Sequence, residues 1–172
     1  MGVAPGARST PARSVENDVV SQEASDGSSD PCHAPRVAFL QQVAVVVDDY
    51  DEAIDFFVGA LGFELVEDSQ TRTNDGRAKR WVVVRPRGAA TGLLLAQADG
   101  EGQRAVVGQQ FAGRVGFFLQ VDDFDAQYER MLSHGVRFLT EPRDEPYGRL
   151  AVFLDVAGNK WDLLGRPAPS RR

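Results

Sequence analysis

Residues 47–65 read VDDYDEAIDFFVGALGFEL, and residues 121–139 read VDDFDAQYERMLSHGVRFL. At a fixed offset of 74, Val47, Asp48, Asp49, Asp51 and Leu65 meet Val121, Asp122, Asp123, Asp125 and Leu139, while Tyr50 answers Phe124. Each copy follows a short apolar run, QVAVVV at 42–47 or VGFFLQV at 115–121. The Asp pair is a helix-start signal, because a carboxylate accepts the first orphan amide protons and suits the positive end of the helix dipole. Behind it, Ile54, Phe57, Val58 and Leu61 form an i, i+3, i+4, i+7 stripe, and Phe124, Tyr128, Met131 and Leu132 form a second. Gly62 and Gly135 stand where a helix ends in a left-handed residue. The chain carries one unit twice.

Outward from each helix the pattern changes to strands. The first copy continues FELVE (63–67), RWVVVRP (80–86) and GLLLAQ (92–97). The second continues VRFLTEP (136–142), RLAVFLD (149–155) and KWDLLG (160–165). TRTNDGRAK and the Gly158-Asn159 pair read as turns. The order is β-α-β-β-β twice, an α+β class, with module one at 38–97, module two at 111–165 and a connecting loop at 98–110. Strands outnumber helices, so the helices are expected to cover one face of the sheet and leave the other to enclose something.

Residues 1–36 are rich in Ser, Ala, Pro, Gly and Asp, with too few large apolar groups to offset ordering entropy, so a disordered tail is expected there. A shorter tail is expected at 167–172, leaving the domain at 37–166. The 172 residues carry a net charge of −6, which argues against nucleic acid and anionic membrane as partners. No apolar run reaches the length of a membrane span. Cys32 is the single cysteine, so no intrachain disulfide forms, and a reducing, cytoplasmic setting is expected. With only His33 and His134, a site of two or three imidazoles cannot be assembled inside the folded part. No nucleophile–base pair for serine or cysteine hydrolysis stands out, and Gly100-Glu101-Gly102 lacks the strand-to-helix context of a phosphate loop.

The tandem unit resembles the vicinal oxygen chelate superfamily of glyoxalases, bleomycin-resistance proteins and extradiol dioxygenases. The resemblance rests on QVAVVVDDYDEAIDFFVGALGFELVED, RWVVVRP, GLLLAQA, FFLQVDDFDAQYERMLSHGVRF and EPYGRLAVFLDVAGNKWDLL, which together fall within 38–165. It implies a U-shaped mixed sheet around a cleft, with helices on the outer face. It also implies that metal-dependent members hold a divalent ion through one inward side chain on each of four strands. Small members bury their sheet edges against a second copy, so a homodimer is expected.

Carried over by position, the four ligand sites fall on Gln42, Leu93, Gly116 and Asp162. Two keep an oxygen donor and two offer none. Gln120, on the same strand face as Phe118 and Gly116, is a substitute polar group. Gln42, Gln120 and Asp162 would make a poor zinc site, suited at best to a weakly held hard cation, so no resident cofactor is expected. Around the cleft, Arg80, Trp81, Leu93, Phe118 and Tyr147 join Gln42, Gly116, Gln120 and Asp162 as candidate ligand contacts. Each has a plainer competitor: Arg80 a surface ion pair, Tyr147 a turn, Gln42 a strand edge, Asp162 a structural hydrogen bond. The loss of two donors favours a protein that binds an apolar or aromatic small molecule. The alternative is a lyase, isomerase or dioxygenase with Asp162 as base or ligand and Gln42 or Gln120 polarising a carbonyl.

Overall fold

The computed structural model describes residues 38–166; the expected tails at 1–36 and 167–172 lie outside the described residues. Eight strands and three α-helices follow the doubled order. Module one contains β1 (Gln42–Val47), α1 (Tyr50–Ile54), β2 (Glu64–Arg72), β3 (Ala78–Arg85) and β4 (Gly92–Gln97). A short helix α2 (Glu101–Arg104) sits in the connecting segment, where a plain loop is expected. Module two contains β5 (Val115–Val121), α3 (Phe124–Ser133), β6 (Arg143–Glu145), β7 (Gly148–Leu154) and β8 (Lys160–Gly165). The strands form two four-stranded sheets of identical topology, β1-β4-β3-β2 and β5-β8-β7-β6. In each, the first strand pairs parallel with the last and the remaining pairs are antiparallel.

Both helix starts form as the Asp pairs dictate. Asp49 Oδ1 accepts from the Asp51 and Glu52 amides at 2.8 and 3.0 Å, and Asp123 Oδ1 accepts from the Ala126 amide at 3.0 Å. Gly62 and Gly135 end the helices at φ +75° and +74°, where a Cβ would be strained. The first helix departs from a plain α-helix: α1 continues as a π-helix over Asp55–Ala60. Its wider turn buries Ala53, Phe57, Ala60 and Leu61 and leaves Ile54 and Val58 half-buried. In α3, Phe124 and Met131 are buried and Tyr128 is half-buried, but Leu132 is 49% exposed. The eighth position of that stripe has rotated off the core, and Val136 beyond the helix is buried in its stead.

The segment 136–142 is a second departure, since no regular strand forms there. It makes one isolated bridge, Phe138 to Phe153, and two further backbone bonds, Leu139 N to Val152 O and Leu154 N to Arg137 O. Thr140 Oγ1 accepts from the Val152 amide, taking a place a backbone carbonyl would fill in a regular ladder.

One core runs through both modules. Val45, Phe57 and Leu95 belong to the same buried cluster as Phe124, Phe153 and Trp161. The end of the first helix is closed from the other module: Arg130 of α3 donates to the Val58 and Gly59 carbonyls, and Gln127 to those of Ala60 and Leu61. These are carbonyls that a helix end cannot satisfy within itself. A second tie is made by Gln110, whose side-chain amide accepts from Val46 N at 3.0 Å and donates to Ala44 O at 2.7 Å. It thereby occupies the edge of β1 that β4 does not use.

Candidate functional site

Strand alternation and register give each sheet two different faces. In module one, Val45 and Val47 point with Leu93 and Leu95 into the core, so Gln42, Ala44 and Val46 share the open face with Leu94 and Ala96. Trp81 and Val83 belong to that open face, because Val82 and Val84 are core residues. In module two, Phe117 stacks on Trp161 at 4.2 Å within the core side, which turns Phe118 and Asp162, paired Cα to Cα, to the open side. Gln120, partnered with Leu164, lies on the same open face.

The expected site residues therefore separate. Gln42 and Trp81 share one open face; Phe118, Gln120 and Asp162 share the other. Arg80, expected at the cleft, lies on the helix-covered side of β3. Its guanidinium bonds Asp51 at 2.7 Å and Asp68 at 2.6 Å and lies 5.2 Å from the Tyr50 ring, while the Tyr50 hydroxyl donates to its carbonyl. The reason is register: Arg80 is in phase with Val82 and Val84, and opposed carboxylates await it there. Tyr147 is a 59%-exposed turn residue between β6 and β7. His134 ends α3, its Nδ1 2.9 Å from the Arg130 carbonyl oxygen.

The modules form between them a half-open apolar pocket of about 170 Å³. Val43, Phe63 and Leu93 line it from module one, and Phe117, Phe118 and Trp161 from module two. Thus two of the expected contacts, Leu93 and Phe118, meet here, with Leu93 itself only 7% exposed. Trp161 is fixed by buried Asp155, whose Oδ2 accepts the indole N–H at 2.9 Å and whose Oδ1 accepts the Asn159 amide at 2.8 Å. That clamp was not legible as such in the Gly158-Asn159 turn signal. A larger hollow of about 490 Å³ in module two has charged walls, in which Asp125 pairs with Arg149 and Asp122 with Arg166.

Asp162 stands apart electrostatically. Its Oδ1 is buried without a hydrogen-bond partner. Loss of hydration pushes its carboxyl above the ordinary carboxylate range, partly opposed by the positive charge of Arg143. Arg143 does not ion-pair with it; its Nε bonds Glu145 at 2.8 Å.

These residues do not fit the divalent metal that the resemblance implies. Leu93 faces the core and its open-face neighbour Leu94 is equally without a donor. At Gly116 an added Cβ would fall 2.2 Å from Phe111, whose ring fills the space where a ligating side chain would stand. Gly116 lies in the β5 irregularity between Val115 and Phe117. Among the described residues no group of three or more His, Cys, Asp and Glu side chains converges. One carboxylate and two amides are too weak a donor set for a transition metal.

The comparisons with known proteins agree with this architecture. Residues 39–163 match the family model described as Glyoxalase/Bleomycin resistance protein/Dioxygenase superfamily. An uncharacterized protein of Shewanella frigidimarina is 49% identical over 126 residues, which cover 73% of this chain and 91% of that one. Among solved structures, TnmS3, an antibiotic binding protein from Streptomyces sp. CB03234, is 31% identical with a TM-score of 0.60, covering 78% of this chain and 100% of its own. A glyoxalase/bleomycin resistance protein from the same Streptomyces is 32% identical with a TM-score of 0.54, covering 73% and 99%. With its doubled β-α-β-β-β unit, two matching sheets and a family match over the described domain, the chain belongs to the glyoxalase/bleomycin resistance protein/dioxygenase superfamily.

Proposed function

We propose that this protein binds and sequesters an apolar or aromatic small molecule between its modules, without a resident metal. The observation that carries the reading is the intermodular cavity, walled by Val43, Phe63, Leu93, Phe117, Phe118 and Trp161. A space of about 150 Å³ accommodates a single aromatic ring, so one ring would enter and the rest of a larger ligand would lie outside. The antibiotic-binding TnmS3, similar in fold and sequence, supports the same reading. The enzymatic alternative, a lyase, isomerase or dioxygenase with Asp162 as base or ligand, would need a second catalytic group near that carboxylate.

Trp161 gives the test its signal. In Trp81→Phe it is the remaining indole, since the chain has two Trp. Titration with naphthylmethanol should quench its fluorescence saturably and raise the melting temperature in step with occupancy. Neither change across the soluble range would sink the proposal.

The same reading takes the protein to be a cytoplasmic homodimer that uses neither nucleic acid nor membrane. Among the described residues no helix is long and apolar enough to cross a membrane. Outer strands β2, β5 and β6, each paired along one side within its sheet, support self-association. Light scattering should give about twice the 18.8 kDa chain mass; a monomer at every concentration would refute the dimer.

A further inference from the structure

Resting on that binding reading, we propose that Phe111, on the segment joining the modules, is a positioning residue that limits the pocket to one aromatic ring. It acts through Phe117. Phe117 and Trp161 line the pocket, and Phe111 touches Phe117 from outside that lining. The three rings form a continuous series: Phe111 packs edge-on against Phe117 at 4.9 Å, and Phe117 stacks on Trp161 at 4.2 Å. The Trp161 end of the series is fixed. Asp155 Oδ2 accepts its indole N–H at 2.9 Å, and the Phe57 and Phe153 rings lie 5.9 and 5.8 Å away. Phe117 is only half-buried, so its place depends on the ring at its other side. Gly116 before it has no side chain to block a retreat; the Phe111 ring holds the space where a Cβ would stand.

Phe111 belongs to no strand or helix; the segment between α2 and β5 folds as consecutive turns, with Gln109 N bonding Val106 O, Ala112 N bonding Gln109 O and Arg114 N bonding Phe111 O. What seats its ring is contact with both modules. Beside it, the Gln110 amide clasps Ala44 and Val46 of β1 in module one. On the other flank, Gly108 passes so close to the Ala157 carbonyl of module two that a Cβ would not fit. Immediately after it, Ala112 is the one non-glycine with positive φ among the described residues, at +50°. A left-handed alanine persists only where its surroundings over-determine it, and such strain collects where a nearby group must be held in place. The anchored turns therefore press Phe111 onto Phe117 and keep the pocket shallow. With the Phe111 ring removed, Phe117 can swing into the vacated space, because a packed interior collapses on a void. A second fused ring, outside the natural pocket, would then find room within it.

Benzyl alcohol and naphthylmethanol, titrated by calorimetry into the full-length chain, read the size limit as a ratio of affinities. Phe111→Ala should shift that ratio about tenfold toward naphthylmethanol, the gain expected for burying one more ring. Phe111→Leu, which keeps most of the bulk, should leave it within about twofold of the natural value. Gln110→Ala frees the segment without touching a ring; it should shift the ratio the same way, and it decides the matter if Phe111→Ala does not fold. A second readout is independent of ligand. In the Trp81→Phe background, acrylamide quenching of Trp161, measured well below the melting transition, should rise when Phe111→Ala is added, and unchanged quenching would count against the proposal. An unmoved ratio in Phe111→Ala, or in Gln110→Ala where the former is unfolded, would overturn the inference while leaving ring binding intact, as would an equal shift in Phe111→Leu. Failure of both probes to bind the natural chain would instead remove the binding reading beneath it.

Discussion

Arg80 and Arg149 hold the same place in the two modules. The Arg80 guanidinium lies 5.2 Å from the Tyr50 ring and bonds Asp51, and that of Arg149 lies 5.4 Å from the Phe124 ring and bonds Asp125. Tyr50 and Phe124, like Asp51 and Asp125, are repeat equivalents. In each module a strand arginine is thus riveted to the first turn of the helix. The rivets differ in strength, because Arg80 has a second carboxylate, Asp68, and is 23% exposed against 42% for Arg149.

Arg80→Met should therefore lower the melting temperature by a few degrees, and Arg149→Met by less, since an exposed single pair contributes little. The bond from Arg80 holds the Asp68 carboxyl below its ordinary value of 3.8. Its contribution is then full above pH 3.8 and is lost as the pH falls through the lowered value. Thermal melts of both variants across pH 7 to 2 check the ordering and the acid convergence.

Asp162→Asn should stabilise the ligand-free protein. Removing an under-hydrated, unpartnered carboxylate is worth about 1 kcal/mol, or about 3 °C. Because the folded-state value is raised, the charge is tolerated worse in the folded than in the unfolded chain. The penalty begins as the pH rises past 3.8 and is complete above the raised value, so the variant's advantage should be present at pH 7 and vanish near pH 3. An equal gain at both pH values would count against this account.

Gly116→Ala should destabilise by about 1–3 kcal/mol, because the new methyl must drive the Phe111 ring away. That ring packs edge-on against Phe117 at 4.9 Å. In Phe111→Ala the same glycine change should cost much less, and a double-mutant cycle by denaturant titration measures the coupling. For the same reason Gly116→His should gain no zinc affinity.

Gln110→Ala should open the edge of β1. The Val46 amide loses its acceptor, so hydrogen exchange there should accelerate by at least tenfold with the β4-paired amides of the module unchanged. Uniform acceleration across β1 would mean that the module as a whole had loosened.

Local chemistry made much of this legible. Asp49, Asp123, Gly62 and Gly135 mark helix ends through bonds made within a few residues, and the sequence reading placed them correctly. Leu132 and the segment 136–142 were misread because burial and pairing depend on what arrives from β7. For Arg80 the sequence offers both a cleft contact and a surface ion pair, and the structure shows the ion pair, with Asp51 and Asp68. The cavity was the least visible feature. Val43 and Trp161 meet across more than a hundred residues of chain, and no spacing rule connects them.

The capping of the first helix by Arg130 and Gln127 has a consequence for the repeat itself. A duplication begins as two interchangeable halves, each able in principle to live alone. Here the carbonyls of Val58, Gly59, Ala60 and Leu61 take their donors from the sister half, and Phe57 leans on Trp161. Severed from its sibling, the leading half would be left with bare carbonyls and a stranded phenyl ring. A cut between the halves would hand those carbonyls to water and uncover the Phe57 ring, so the leading half has come to depend on its neighbour for the finish of its own helix.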